Sequence, residues 1–484
     1  MIDSHSHSSP IRSSDRYRSD RQAYWNKTAH ETPEKWALGS YYHARLAAIY
    51  RYLVPPGQRV LELGCGKGDL LAALDPAFGV GVDFSGEMLQ EARARHPELH
   101  FVCGDAHEVE LAQEFDFVIL SDLVNDLWDA QTVLSGLHRC TGPHTRIIVN
   151  AYSRLWEIPR RIAHRCGMLK PRPRQNWFTV EDISNLLYLT DFEVIRHWEE
   201  ILWPFGTPVW ATTCNKCLVK LWPFRLGALT NMIIARPRPR RRSLEGVKVS
   251  VVVPARNEAG NIRNIVDRVP EMGAGTEIVF VEGGSKDQTF ETIQKVIEEN
   301  SSRECTLFKQ TGIGKGDAVR LGFEKATGEV LMILDADLTV PPEDLPRFLD
   351  AWASGRGEFI NGVRLVYPME DASMRFLNQI GNKFFSLAFT WLLGQSIKDT
   401  LCGTKVLHRD HYRVIAANRA YFGDFDPFGD FDLIFGAAKL NLKIVDLPIR
   451  YRARVYGETN ISRWRHGLLL LEMVAFAMSR MKFI

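Results

Sequence analysis

Short apolar runs, many of them closed by an acid or a glycine, recur along the chain and are separated by stretches with helical spacing. The first series comprises QRVLEL, FGVGVD, LHFVCGD, FDFVILSD and TRIIVNA, preceded by the helical stretch YYHARLAAIYRYL from Tyr41. Runs of this length alternating with helical segments predict βα units that feed a mainly parallel sheet. A last pair, FEVIRHWEEIL and LTNMIIAR, is expected to close the sheet edge. A second series follows: KVSVVVP, EIVFVEG, TLFKQTG, EVLMILDAD and EFINGVR. Between the two lies ARPRPRRRSLEG, where proline opposes regular structure and five arginines from Arg236 to Arg242 repel one another. The expected organisation is a partly disordered leader over 1–39, a first α/β domain over 40–235, an exposed Arg/Pro linker over 236–246, and a second α/β domain over 247–484 ending in an amphipathic segment.

Composition narrows the classes. The 484 residues leave room for two or three domains at roughly 150 residues each. Sixty basic residues against 58 acidic ones make a nucleic-acid partner unexpected. Eight cysteines are too few for a disulfide scaffold of this size. Cys214 and Cys217 form a lone C-x-x-C with no second pair to complete a zinc site, so they read as packing residues. The polar start lacks an apolar core, so no signal peptide is expected. The longest uncharged run, Phe384 to Ile397, and the C-terminal Leu468 to Met478 both fall short of the ~18 apolar residues of a spanning helix. The expected location is cytoplasmic, with a peripheral contact on the inner face of the membrane through these segments.

VLELGCGKGDLL joins a strand, a glycine loop and a helix start, with Glu62 two residues before Gly64. Gly64, Gly66 and Gly68 let the backbone turn sharply and approach a ligand. The G-x-G-x-G spacing differs from the G-x-G-x-x-G of dinucleotide folds. Asp83 ends the second strand, where a carboxylate can accept ribose hydroxyls, and Asp105 ends the third. This ordered set resembles the class I S-adenosylmethionine-dependent methyltransferases over about residues 40–235. The resemblance implies a Rossmann-like fold in which Glu62, Gly64, Gly66 and Gly68 line the cofactor, Asp83 holds its ribose, and Asp105 and Ala106 face the adenine. Asp122, Asn125, Asp126 and His107 stand where a methyl acceptor would enter, and each equally suits a loop or capping role.

In the second domain, VVVPARNE, EGGSKDQT, GKGDAVRLGF, LDADL, NGVR, DTLCGTKV and LPIRYRARVYGETN follow in order. Asp335 and Asp337 are two apart, so in an extended strand their carboxylates would face the same way and suit a hard divalent cation. The motif series resembles the family 2 glycosyltransferases of GT-A fold, in particular the dolichyl-phosphate mannose synthase group. That resemblance implies a nucleotide-sugar donor bound by Pro254, Arg256, Glu258, Glu282, Lys315, Asp317, Asp335, Ala336 and Asp337. It further implies Mg²⁺ or Mn²⁺ on Asp335 and Asp337, and phosphate contacts from Arg364 and Arg454. Lys315 and Asp317 are expected in a loop. Asp430, in GDFDL, is either a base for a hydroxyl acceptor or a helix cap. Glu282 stands where relatives have an aspartate pair, Thr339 replaces a glutamine, and Asn460 departs from a serine–lysine pair. The two resemblances together imply a bifunctional enzyme, similar to bacterial fusions of these domains. It would combine methyl transfer with inverting glycosyl transfer to polyprenyl phosphate or a cell-envelope glycan. The alternative is a glycosyltransferase with a soluble or glycan hydroxyl acceptor and a scaffold-like first domain.

Overall fold

The structure is a computed structural model and describes residues 13–30, 38–167, 172–364, 366, 376–421, 431–452, 454, 456 and 463–484. The chain divides into two compact units, Met1–Arg238 with Phe483–Ile484, and Pro239–Lys482.

The first unit is built on a seven-stranded sheet. Its strands are β1 (Arg59–Leu63), β2 (Phe78–Asp83), β3 (His100–Cys103), β4 (Phe115–Ser121), β5 (Thr141–Tyr152), β6 (Phe192–Glu200) and β7 (Thr230–Pro237). They lie in the order β3-β2-β1-β4-β5-β7-β6, with β7 antiparallel to both its neighbours. The alternation in β1 sends Val60 to one face and Leu61 and Leu63 to the other, and each face is covered by its own apolar cluster. Helix α2 (Leu38–Leu53) carries Leu46, Ile49, Tyr50 and Leu53 at helical spacing, and all four are buried against the β1 face holding Val60. Full burial of such a side chain contributes about 1.5–3 kcal/mol. Helix α1 (Ser13–Ala29) lies within the segment read as a leader, and helix α3 (Glu157–Arg165) follows β5.

The second unit repeats the layer plan with another topology. Strands β8 (Val249–Ala255), β9 (Thr276–Glu282), β10 (Glu304–Lys309), β11 (Val330–Ile333), β12 (Phe359–Val363), β13 (Lys405–His408) and β14 (Ile444–Pro448) form a sheet in the order β10-β9-β8-β11-β13-β12-β14. Here β13 is the reversed strand. Its flanking helices include α4 (Lys315–Lys325), α5 (Phe376–Leu393) and α6 (Arg463–Ala477).

Three expectations change. Lys315 and Asp317 stand in the first turn of α4, because Gly314 at φ +91° turns the chain into the helix there. The Arg/Pro stretch is not uniformly exposed. Strand β7 runs on to Pro237, and the side chain of Arg236 is buried in an ion pair with Glu193 of β6. Farther along, Arg241 pairs with Asp350 at 2.5 Å and Arg242 stacks over Trp352, so acids and a ring offset the repulsion. Finally, β11 ends at Ile333, and Asp335–Asp337 forms a turn closed by Leu338 N–H donating to the Asp335 carbonyl at 3.2 Å. Leu338 takes a φ of +55°. The extended-strand reason for pairing the two aspartates therefore fails, and the turn brings them to the sheet edge instead.

Candidate active sites

In the first unit the glycine loop leaves β1 and is pinned at once, since Gly64 N–H donates to the Val82 carbonyl at 2.7 Å. Gly64 and Gly68 have φ of +72° and +75°, and a Cβ on either would come within 2.8 Å of Leu123 or Phe101. Gly66 also has positive φ, and a Cβ there would meet nothing within 4 Å, which leaves open space over the middle of the loop. Asp83 ends β2, and its two oxygens accept from the N–H groups of Gly66 and Ser85, each at 2.9 Å. Each carboxylate oxygen keeps a further lone pair for a ligand hydroxyl.

The electrostatics of this edge are one-sided. Burial pushes the Glu62 carboxyl up to about 8, with Asp83 and Asp69 adding to the rise. Glu62 Oε2 is buried without a hydrogen-bond partner among the described residues. Asp83 is also raised by burial, against its backbone donors. Two buried acids with no side-chain cation beside them among the described residues suit a ligand that brings positive charge.

Asp105 is placed differently. Burial works against its charge, but His107 and Arg18 outweigh that and hold its carboxyl below the usual range. His107 Nδ1 lies 2.5 Å from Asp105 Oδ1, and Arg18 Nε lies 3.0 Å from Oδ2. His107 Nε2 accepts from the Asp129 N–H at 3.2 Å, so the ring is oriented by both its nitrogens. Ala106 and His107 line a cavity of about 580 Å³. Arg18 belongs to α1, which also sends Gln22 to the Phe84 carbonyl at 2.8 Å, Asn26 to Ser85 at 2.6 Å and Tyr17 to the Leu127 carbonyl at 3.2 Å.

Past β4, Asp122 adopts φ +53° and its Oδ1 accepts from Tyr42 at 2.9 Å and Asn150 at 2.7 Å. Burial raises its carboxyl to about 6, near the range useful to a general base. Asn125 is structural: its amide bonds the Asn176 carbonyl, and its oxygen takes the Tyr152 N–H. Asp126 accepts from Gln175 at 3.3 Å. Cys214 is buried and Cys217 exposed, both as free thiols.

In the second unit the carboxyl ends of β8, β9 and β11 lie side by side. The loop after β8 and the loop after β9 are zipped together. Asn257 N–H donates to Ser285 Oγ, Lys286 N–H to Asn257 Oδ1, and Glu258 N–H to Thr289 Oγ1. Asn257 accommodates this with φ +58°. Pro254 lies one residue before the end of β8, opposite Val281; Arg256 is exposed, and Glu282 is buried and accepts the Ser285 N–H.

Cations meet the acids of the turn after β11. Lys315 Nζ lies 2.6 Å from Asp335 Oδ1. Burial opposes the charge of Asp335, but Lys315 and then Arg364 outweigh it and hold the carboxyl below its usual range. Gly403 lies so close that a Cβ would fall 2.2 Å from Asp335 Oδ2 and 2.3 Å from Lys315 Nζ. Asp337 Oδ1 accepts from Thr339 Oγ1 at 2.7 Å, while its Oδ2 meets Arg454 at 2.7 Å. Arg454 also reaches Glu258 at 3.5 Å. Burial still lifts Glu258 to about 7 against the pull of Arg454. Ala336, between the aspartates, is buried, and Asp317 accepts the Gly312 N–H at 3.0 Å.

Arg364 makes a forked pair with Asp399, Nε at 2.7 Å and Nη2 at 2.9 Å. Asp399, Gly403 and Asn257 are the residues that motif reasoning missed. DTLCGTKV held the first two, but nothing in it names the partner of Arg364. Asp430 lies outside the described residues, and its neighbour Asp432 is buried in ion pairs with Arg320 and Arg419.

Two nucleotide-type edges on two mixed α/β sheets define a chain built from transferase folds. The sequence model of glycosyl transferase family 2 matches residues 250–420, and that of a methyltransferase domain matches residues 60–144. The chain thus carries a methyltransferase domain followed by a family 2 glycosyltransferase domain of GT-A-like fold. An undecaprenyl-phosphate 4-deoxy-4-formamido-L-arabinose transferase of Pseudomonas aeruginosa is 27% identical over 230 residues, 47% of this chain and 64% of the relative. A dolichol-phosphate mannosyltransferase of Pyrococcus furiosus is 27% identical over 219 residues, 44% of this chain and 59% of the relative. The chain therefore spans less than two thirds of the length of these relatives. A solved S-adenosylmethionine-dependent methyltransferase of Mesorhizobium loti is 19% identical, covers 41% of this chain and 98% of its own, and has a TM-score of 0.31. Among the described residues, no helix is long and apolar enough to cross a membrane.

Proposed function

We propose that the chain is bifunctional: S-adenosylmethionine-dependent methyl transfer in a domain over 40–235, and inverting glycosyl transfer from a nucleotide sugar in a domain over 247–484. The observation that carries the second half is the acid turn after β11, where Asp335, Asp337, Lys315 and Arg454 meet beside the zipped loops of β8 and β9. This donor set fits a divalent cation, and Mg²⁺ or Mn²⁺ held by Asp335 and Asp337 would neutralise a departing diphosphate. Lys315 and Arg364 supply fixed positive charge on the same edge. Pro254, Arg256, Glu258, Glu282, Asp317 and Ala336 would frame the nucleotide. In the first half, Gly64, Gly66 and Gly68 with Glu62, Asp83, Asp105 and Ala106 would hold the methyl donor. Its sulfonium supplies an activated methyl group, which leaves the protein to position the acceptor.

For the glycosyl acceptor we favour a polyprenyl phosphate at a membrane surface. The relatives named above are polyprenyl-phosphate transferases, and a guanidinium such as Arg364 or Arg454 suits phosphate. Helix α5 buries Phe385 and Phe389 while Phe384 and Leu387 are exposed; α6 buries Leu470 and Met473 while Leu468 and Leu471 are exposed. Such two-sided helices fit a peripheral contact on the inner membrane face. The second reading, a glycan or soluble hydroxyl acceptor, would rely on Asp430 as base. Incubation with radiolabelled nucleotide sugars, short-chain polyprenyl phosphate and soluble glycans separates them. We expect label in the lipid phosphate. Label only in a hydroxyl acceptor, lost in Asp430→Asn, overturns the lipid reading.

A further inference from the structure

Between β6 and β7 the first unit inserts residues 201–229, folded as short helical turns. Inward it buries small and aliphatic groups, among them Ile201, Ala211, Cys214 and Val219, together with two polar side chains. Asn215 is buried and clamps both the N–H and the carbonyl of Trp203, at 2.8 and 2.6 Å, and Lys220 is buried in an ion pair with Glu200. The groups facing outward are large and apolar: Trp222 is 75% exposed, with Trp210, Phe224 and Leu226 also exposed. Helix α3 joins this surface, because Trp156 just before it donates to the Gly227 carbonyl at 3.0 Å. That helix buries none of its residues and presents Ile158, 65% exposed, and Ile162 one turn apart. A nine-residue helix with no buried face gains almost nothing from packing in water. Apolar exposure on this scale marks a contact surface.

Charge identifies what covers it. The insert contains no aspartate or glutamate between 201 and 229, and carries Lys216 and Arg225 beside its rings. In α3, Arg160, Arg161 and Arg165 stand against the single acid Glu157, which Arg161 already holds at 2.5 Å. Tryptophan and phenylalanine with flanking cations, and a single acid that is already paired, suit the boundary between anionic headgroups and acyl chains. We infer that this face of the methyltransferase unit, formed by α3 and the β6–β7 insert, docks on an anionic bilayer surface.

Arg160 of α3 also lies 4.3 Å over the ring of Tyr152, at the carboxyl end of β5. The docking face therefore borders the side where a methyl acceptor would enter, and a membrane-borne acceptor could reach it from the lipid. That corollary rests on the methyl-transfer reading; the docking surface does not.

Hydrogen–deuterium exchange of the full chain, with phosphatidylglycerol or phosphatidylcholine vesicles, tests the inference. Residues 154–165 and 203–227 should gain protection on phosphatidylglycerol and not on phosphatidylcholine. The double substitution Trp222→Asp with Phe224→Asp should remove that protection while S-adenosylhomocysteine binding is unchanged. The wild-type comparison decides the matter even where the double variant folds poorly. Three results overturn it: no protection there while phosphatidylglycerol vesicles are present, equal protection by phosphatidylcholine, or protection that rises with protein concentration without lipid. The last would make the face an interface between copies of the chain.

Discussion

The two acid edges use the same architecture for opposite electrostatic ends. After β1 and β2, Glu62 and Asp83 are buried with no side-chain cation beside them among the described residues, and both carboxyls are raised. After β11, every acid has been met: Asp335 by Lys315, Asp337 by Arg454. An uncompensated pair of acids awaits a ligand that brings positive charge, as a sulfonium with an ammonium group does. A compensated pair already holds the charges needed by an anionic diphosphate, and a metal would enter by exchange with a guanidinium. Charge balance at the strand ends thus separates two ligand classes that strand order alone would leave alike.

The largest expected effect comes from breaking the second edge. Asp337→Asn should lower nucleotide-sugar turnover by roughly two to three orders of magnitude, since a neutral amide is a poor ligand for a hard cation and a poor partner for Arg454. S-adenosylhomocysteine affinity, measured by calorimetry on the same variant, should not move. Full turnover in excess chelator would contradict the metal role, and a joint loss of both functions would mean the contrast between the edges is not local.

A smaller effect is expected at the first edge. Asp83→Ala removes the acceptor of the Gly66 and Ser85 amides and of a ligand hydroxyl, so S-adenosylhomocysteine binding should weaken by ~1–3 kcal/mol. An unchanged dissociation constant would remove Asp83 from the ligand.

The finest test is pH. Glu62 has a folded value raised from 4.5 to about 8, so its contribution to stability is present at low pH and is lost as pH rises from 4.5 through about 8. A cationic ligand favours the carboxylate and releases its proton. Affinity for S-adenosylmethionine should therefore rise over the same interval, by at most about tenfold per pH unit near neutrality. Melting temperatures against pH, with and without ligand, read both trends. Glu62→Gln should flatten them, and a wild-type profile already flat would show that Glu62 stays charged.

Much of this was legible in the residues. The apolar runs located β1 to β12; most are strands buried on both faces and nearly continuous in Val, Ile, Leu and Phe, while the more exposed β3 and β10 were placed by their position in the βα series. The glycine loop and the acids after it were readable because backbone turns need glycine wherever side chains sit. Other features left no such mark. Helix α1 has no apolar stripe, and its place is set by Tyr17, Arg18, Gln22 and Asn26 reaching loops far along the chain. The burial of Arg236 depends on Glu193 in a neighbouring strand, and the fork of Arg364 on Asp399, 35 residues farther along the chain. In each case the deciding partner is distant in sequence.

Helix α1 has one more consequence. It touches the loops after β2, β3 and β4 at once, which are the three loops around the open space over Gly66. A polar helix held by hydrogen bonds and the ion pairs of Arg18 with Asp105 and Glu108 opens at far lower free energy than the sheet beneath it. A ligand held at the glycine loop would then enter and leave with this opening. Substitutions in α1 would alter residence time and pre-steady-state rates more than equilibrium occupancy.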